Sequence, residues 1–101
     1  MNLTRDPTLD ELIPKEFYLV QNYPNPFKDK TTIKYCVAYR TNVKLTVYDS
    51  EGEVIKILVD EEKKPGTYEM EFYAANLPAG VYFYQLRADA YVETKKMILL
   101  K

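Results

Sequence analysis

The chain has 101 residues, 47% of them hydrophobic, with ten Tyr, four Phe and no Trp; 14 basic and 15 acidic residues leave a formal charge of −1. That length fits one domain of ordinary size, and the balanced charge supplies neither the clustered basic face that nucleic acid needs nor a polybasic membrane patch. No His and a lone Cys exclude an imidazole base or ligand, a Ser/His/Asp or Cys/His couple, and an internal disulfide.

No apolar run reaches the roughly 20 residues that span a bilayer. Residues 1–15 contain Asp6, Asp10 and Glu11 and no apolar stretch, so they do not read as a signal peptide. They read as a linker. Leu9, Leu12 and Ile13 can form a short helical turn at most, because Pro14 ends it.

From Phe17 the pattern changes to period two. Residues 17–20 form a short first strand. Gln21-Asn22-Tyr23-Pro24-Asn25-Pro26-Phe27 follows as a shaped loop or bulged edge, since its prolines cannot donate to a ladder. Residues 31–38 alternate, with Ile33, Tyr35 and Val37 against Thr32, Lys34 and Cys36. Val43, Leu45 and Val47 alternate with Lys44, Thr46 and Tyr48.

Asp49-Ser50-Glu51-Gly52 closes a hairpin, with Gly52 free to take a positive φ. Residues 53–59 continue as a strand in which the irregular spacing of Val54, Ile57 and Leu58 predicts a bulge. Residues 60–64 read as a charged loop ending at Pro65-Gly66. Tyr68, Met70 and Phe72 then alternate with Thr67, Glu69 and Glu71, and residues 76–80 turn again at Pro78 and Gly80. Tyr82, Tyr84 and Leu86 form the inner face of the next strand, and residues 91–100 form the last. About seven short strands with turns every 8–12 residues or so predict an all-β, immunoglobulin-like antiparallel sandwich.

The residue pattern offers no catalytic, cofactor or metal site. Cys36 sits in mid-strand as a small structural residue. Glu69 and Glu71 lie on one exposed strand face, without the cleft that a pair of acid/base carboxylates needs. Asp60, Glu61 and Glu62 could attract Ca²⁺, but Lys63 and Lys64 neutralise the run. Tyr48 and Tyr73 on outer faces, with Tyr18, Tyr23 and Tyr39 near strand ends, leave a carbohydrate-binding reading open. Tyr82, two residues after Gly80, is placed to act as a tyrosine corner bonded to the preceding loop.

The segment Asn22, Tyr23, Pro24, Asn25, Pro26, Phe27, followed by Thr31-Thr32-Ile33-Lys34-Tyr35, resembles the opening of type A C-terminal sorting domains of the type IX (Por) secretion system. Val47-Tyr48-Asp49 with Gly52, then Leu77-Pro78-Ala79-Gly80-Val81-Tyr82, continue the resemblance, and residues 93–101 close it. Lys28-Asp29-Lys30 and Cys36 depart from the usual pattern without breaking the strands. The resemblance implies that residues 16–101 are the sorting domain and residues 1–15 the linker from an upstream cargo domain whose signal peptide lies further upstream.

By the same resemblance, the partners are the outer-membrane translocon and a surface sortase-like peptidase that cuts at or before residue 17. The protein is then secreted or held at the cell surface by way of the periplasm, with no nucleic acid and no membrane-embedded segment. The candidate recognition residues are Lys95, Lys96, Met97, Ile98, Leu99, Leu100 and Lys101, a basic and apolar final strand. The same strand also reads as an ordinary core strand with snorkelling lysines. Two alternatives belong to other classes: an Ig-like structural module related to flagellar hook-capping proteins, and an accessory carbohydrate-binding or spacer domain of a secreted hydrolase. The hook-capping module would assemble as an oligomer, whereas a monomer or a weak dimer formed through edge strands fits the sorting domain.

Overall fold

The computed structural model describes residues 15–101, so most of the linker expected at residues 1–15 lies outside the described residues. Seven strands follow one another: β1 (Tyr18–Leu19), β2 (Lys30–Val37), β3 (Thr41–Tyr48), β4 (Val54–Lys63), β5 (Gly66–Tyr73), β6 (Gly80–Ala88) and β7 (Tyr91–Leu99). They form a three-stranded sheet ordered β1-β2-β5 and a four-stranded sheet ordered β4-β3-β6-β7, with every strand pair antiparallel. This is the expected immunoglobulin-like sandwich.

The alternation in the sequence decides which side chains meet between the sheets. Ile33, Tyr35 and Val37 of β2 face Val43, Leu45 and Val47 of β3 and Tyr84 and Leu86 of β6, all 0–1% exposed. Fully burying a side chain of this size contributes about 1.5–3 kcal/mol. The rings fit by offset and edge contacts: Tyr35 stacks on Tyr68 at 5.5 Å, and Phe27 meets Phe72 edge-on at 6.3 Å.

Turn chemistry sets the corners. At the β3–β4 hairpin the Asp49 carboxylate accepts the Glu51 and Glu53 N–H groups, each at 2.9 Å, and Gly52 takes φ +86°. The Tyr82 hydroxyl donates to the Pro78 carbonyl at 2.7 Å, which is the tyrosine corner. The β3–β4 register shifts between Leu45 and Thr46 and again between Val47 and Tyr48, as the irregular apolar spacing of β4 predicts.

One expectation is corrected. Residues 60–63 are strand, not loop: β4 runs on to Lys63, opposite Thr41. Its charges are tolerated because β4 is an edge strand and its side chains find partners at the rim. Glu62 pairs with Arg40 at 3.0 Å and Glu61 with Lys63 at 2.8 Å, while the Lys63 ammonium sits 4.9 Å from the Tyr68 ring centre. Among the described residues no three acidic or Cys side chains gather into a metal-binding group.

Candidate recognition surface

The register gives the sandwich two distinct poles. Phe17, the turn at residues 38–40, the Pro65-Gly66 turn and the turn at residues 89–90 share one of them. Residues 25–29, the hairpin at residues 49–53, the loop at residues 74–79 and Lys101 share the other, the tail pole. Strands of eight or nine residues separate the two by roughly 25–30 Å.

The 21–27 segment is not a free loop. It lies along the outer edge of β7 and bonds to it repeatedly. The Phe27 N–H donates to the Ile98 carbonyl at 2.9 Å, and the Leu100 N–H donates to the Phe27 carbonyl at 2.7 Å. The Ile98 N–H donates to Asn25 Oδ1 at 2.9 Å, and Gln21 Nε2 donates to the Lys96 carbonyl at 2.7 Å. Edge strands expose a row of unpaired backbone groups, and here half of that row is covered by side chains and backbone from 70 or more positions away.

The segment is anchored from below as well. The Asn22 N–H donates to the Tyr84 hydroxyl at 2.7 Å, and that hydroxyl donates to the Val20 carbonyl at 2.8 Å. Burial pushes the Tyr84 phenol up to about 12, so it stays a donor. Asn22 Nδ2 donates to the Thr31 hydroxyl at 3.0 Å, and Thr31 donates to the Pro24 carbonyl at 2.8 Å. Asn22 and Thr31 are each 2% exposed, buried polar groups with their partners present. The Tyr23–Pro24 and Asn25–Pro26 peptide bonds are both cis.

The motif residues therefore divide by role. Asn22, Asn25 and Phe27 hold the segment, whereas Tyr23 is 81% exposed. Pro78, Gly80 and Tyr82 border a cavity of about 420 Å³ at the tail pole, walled also by Asp49, Glu51 and Ile55.

The final strand divides too. Met97 and Leu99 are 0% and 1% exposed and belong to the core, while Lys96, Ile98 and Leu100 face outward. The two adjacent lysines are not equivalent. Lys95 lies on the inner side and pairs with Glu93 at 3.3 Å. The Tyr91 hydroxyl bonded to Glu93, with Lys95 beyond it, holds that carboxyl below the usual range. Lys101 Nζ donates to the Ala75 carbonyl at 2.7 Å. At the opposite pole Phe17 stacks on Tyr91 at 5.7 Å and meets Tyr39 edge-on at 4.9 Å.

Residues 21–100 match the family model described as the secretion system C-terminal sorting domain. The chain belongs to that family. Its sorting domains are non-catalytic signals of the Por (type IX) secretion system, and membership implies secretion targeting of a cargo protein to the exterior or the cell surface.

Two solved structures share the fold of this sorting domain. The dimeric latent PorU of Porphyromonas gingivalis superposes with a TM-score of 0.65 at 18% identity, over 81% of this chain and 9% of that one. PorZ of the same organism, described as an essential bacterial surface component of its type IX secretion system, gives 0.52 at 17% identity, over 84% and 11%. The chain thus spans about a tenth of the length of either protein. No curated protein sequence matches it.

The motif and the final strand are each legible in the sequence, but the bonds that join them follow no local pattern. Asn25 is the available signal: a side chain able to accept and donate, set between two prolines that cannot donate themselves.

Proposed function

We propose that this sorting domain carries an upstream cargo protein to the type IX translocon, which reads the tail pole and the exposed side chains of β7. What carries the reading is the family match over residues 21–100. Its geometric support is the gathering of the motif segments at 25–27, 49–52 and 77–82 beside the end of β7, at the pole away from Phe17. A receptor at that pole leaves the cargo junction unobstructed.

In this scheme Lys96, Ile98, Leu100 and Lys101 are offered outward. Met97 and Leu99 act by holding the strand in place, and Lys95 contributes from the rim. Export passes through the periplasm by means of a signal peptide on the full protein. A surface sortase-like peptidase then cuts ahead of the first strand, at or before Phe17. The family match supports this reading over a flagellar hook-capping module or a carbohydrate-binding spacer.

The test is export. Residues 1–101 fused behind a signal peptide and a reporter should bring the reporter to the surface of a type IX-competent bacterium. Retention in the periplasm, in cells where an established sorting domain exports the same reporter, would overturn the proposal. In the same assay Lys95→Ala with Lys96→Ala, verified as folded, should reduce export. Unchanged export would remove both lysines from recognition.

A further inference from the structure

The outer faces of the two sheets differ in composition, although the three-stranded one also exposes Tyr18 and Tyr73. On the three-stranded sheet, cations and carboxylates neutralise one another across the strands: Lys30 pairs with Glu71 and Lys34 with Glu69, both at 3.5 Å. The four-stranded sheet carries an apolar belt instead. Val54, Tyr48, Phe83 and Lys96 are successive cross-strand partners, one from each of its four strands. Val81 opposite Ile98 forms the next row toward the tail pole, and Ile57 opposite Thr46 the row on the other side.

Val54, Ile57 and Val81 are 57%, 45% and 37% exposed. Thr46 is only 4% exposed although it sits on the outer face, so its longer neighbours already form a packed layer over it.

Cations flank this belt. Lys44, which also faces Asp60 on β4, and Arg87 are opposite one another one row beyond Thr46, and Lys96 ends the central row. Among the described residues none of these three makes an ion pair. The carboxylates on the same face are Asp60, which accepts from Asn42, and Glu62, which Arg40 already neutralises. An apolar centre with a charged rim is the anatomy of a protein interface. Four strands and four rows span roughly 15 by 20 Å between Cα atoms, and with side-chain margins this approaches the ~800 Å² per partner of a standard complex.

We infer that the outer face of the four-stranded sheet is a docking surface for a protein partner with an apolar centre and a carboxylate rim. The inference rests on the sorting role proposed above and assigns the receptor contact to a face as well as to the tail. Charge complementarity selects an acidic partner. A protein fits better than a bilayer, because the half-buried Tyr48 and Phe83 rings lie within the layer and, among the described residues, no apolar loop projects from it to insert.

Two variants of the reporter fusion test this: Val54→Ser/Ile57→Ser/Val81→Ser for the belt and Lys44→Glu/Arg87→Glu for the rim. Tyr18→Ser/Tyr73→Ser on the other sheet is the control, and circular dichroism verifies that each is folded. The belt and rim variants should lower export and affinity for detergent-purified translocon about tenfold, a loss of about 1.4 kcal/mol in binding. The control should match the wild type, and added salt should weaken wild-type binding more than binding of the rim variant.

Wild-type export with unchanged export of both face variants overturns the face while leaving the sorting role intact. A wild-type fusion that stays periplasmic removes the sorting role, and the inference with it. If the face variants instead lose binding to phosphatidylcholine–phosphatidylglycerol vesicles and keep translocon affinity, the surface is a lipid contact and the inference is overturned.

Discussion

Asn25 and Ile98, 73 positions apart, are joined by a 2.9 Å hydrogen bond from the Ile98 backbone N–H to the Asn25 side-chain oxygen. The bond lies between the two Phe27 backbone links and the Gln21 link, so it fastens the opening motif to the final strand. Asn25→Ala should cost about 0.5–1.5 kcal/mol, the net value of an ordinary hydrogen bond. Urea titration should show a lower midpoint at an unchanged slope, and amide exchange at Ile98 should accelerate.

Tyr84 is the deeper anchor. Tyr84→Phe keeps the ring but leaves the Asn22 N–H and the Val20 carbonyl without their partner, in a place that is 2% exposed at Asn22. The expected loss is about 1–3 kcal/mol, at or above the Asn25 value because the groups are buried. Thermal melts of the two variants side by side provide the comparison.

Alkaline pH should destabilise the domain through the same residue. An unfolded tyrosine ionises near about 10, while burial raises Tyr84 in the folded state to about 12. Between those values the unfolded chain has released a proton that the folded one retains, so raising the pH favours unfolding. The stabilisation is complete below pH ~10 and declines by about 1.4 kcal/mol per pH unit toward ~12. Tyr35 and Tyr82, also raised chiefly by burial, add to the decline. Urea midpoints between pH 9 and 12 or so, wild type against Tyr84→Phe, should show a shallower fall in the variant.

Within the final strand, stability and recognition should separate by face. Met97→Ala empties a fully buried site and should cost about 2–5 kcal/mol. Lys96→Ala, on the exposed outer side, should change stability by no more than about 0.5 kcal/mol. Removing residues 95–101 strips Met97 and Leu99 from the core and every backbone partner from Phe27, and should leave a chain without a cooperative melt by circular dichroism.

Much of this fold is legible in the sequence because a period of two is a local property. The inner sets Ile33-Tyr35-Val37 and Tyr82-Tyr84-Leu86 can be read without knowing what they pack against. The β4 extension was hidden by its own surface: Asp60, Glu61 and Glu62 look like a loop, and only an edge strand whose side chains reach Arg40 and Lys63 makes them compatible with a ladder. The site was legible as two separate pieces. The bonds from Gln21, Asn25 and Phe27 to β7 span 70 residues or more and follow no periodicity. The divergence of Lys95 and Lys96 follows from strand alternation, yet the Glu93 partner that occupies Lys95 needed the register to be seen.

The placement of Phe17 and Lys101 at opposite poles has a mechanical consequence. A pull on the end of β7 against a load attached ahead of Phe17 runs parallel to the strands. The β1–β2 and β6–β7 ladders are then loaded in shear, so their bonds must yield together instead of parting one by one. A handle built this way can be towed from its tail while it stays folded.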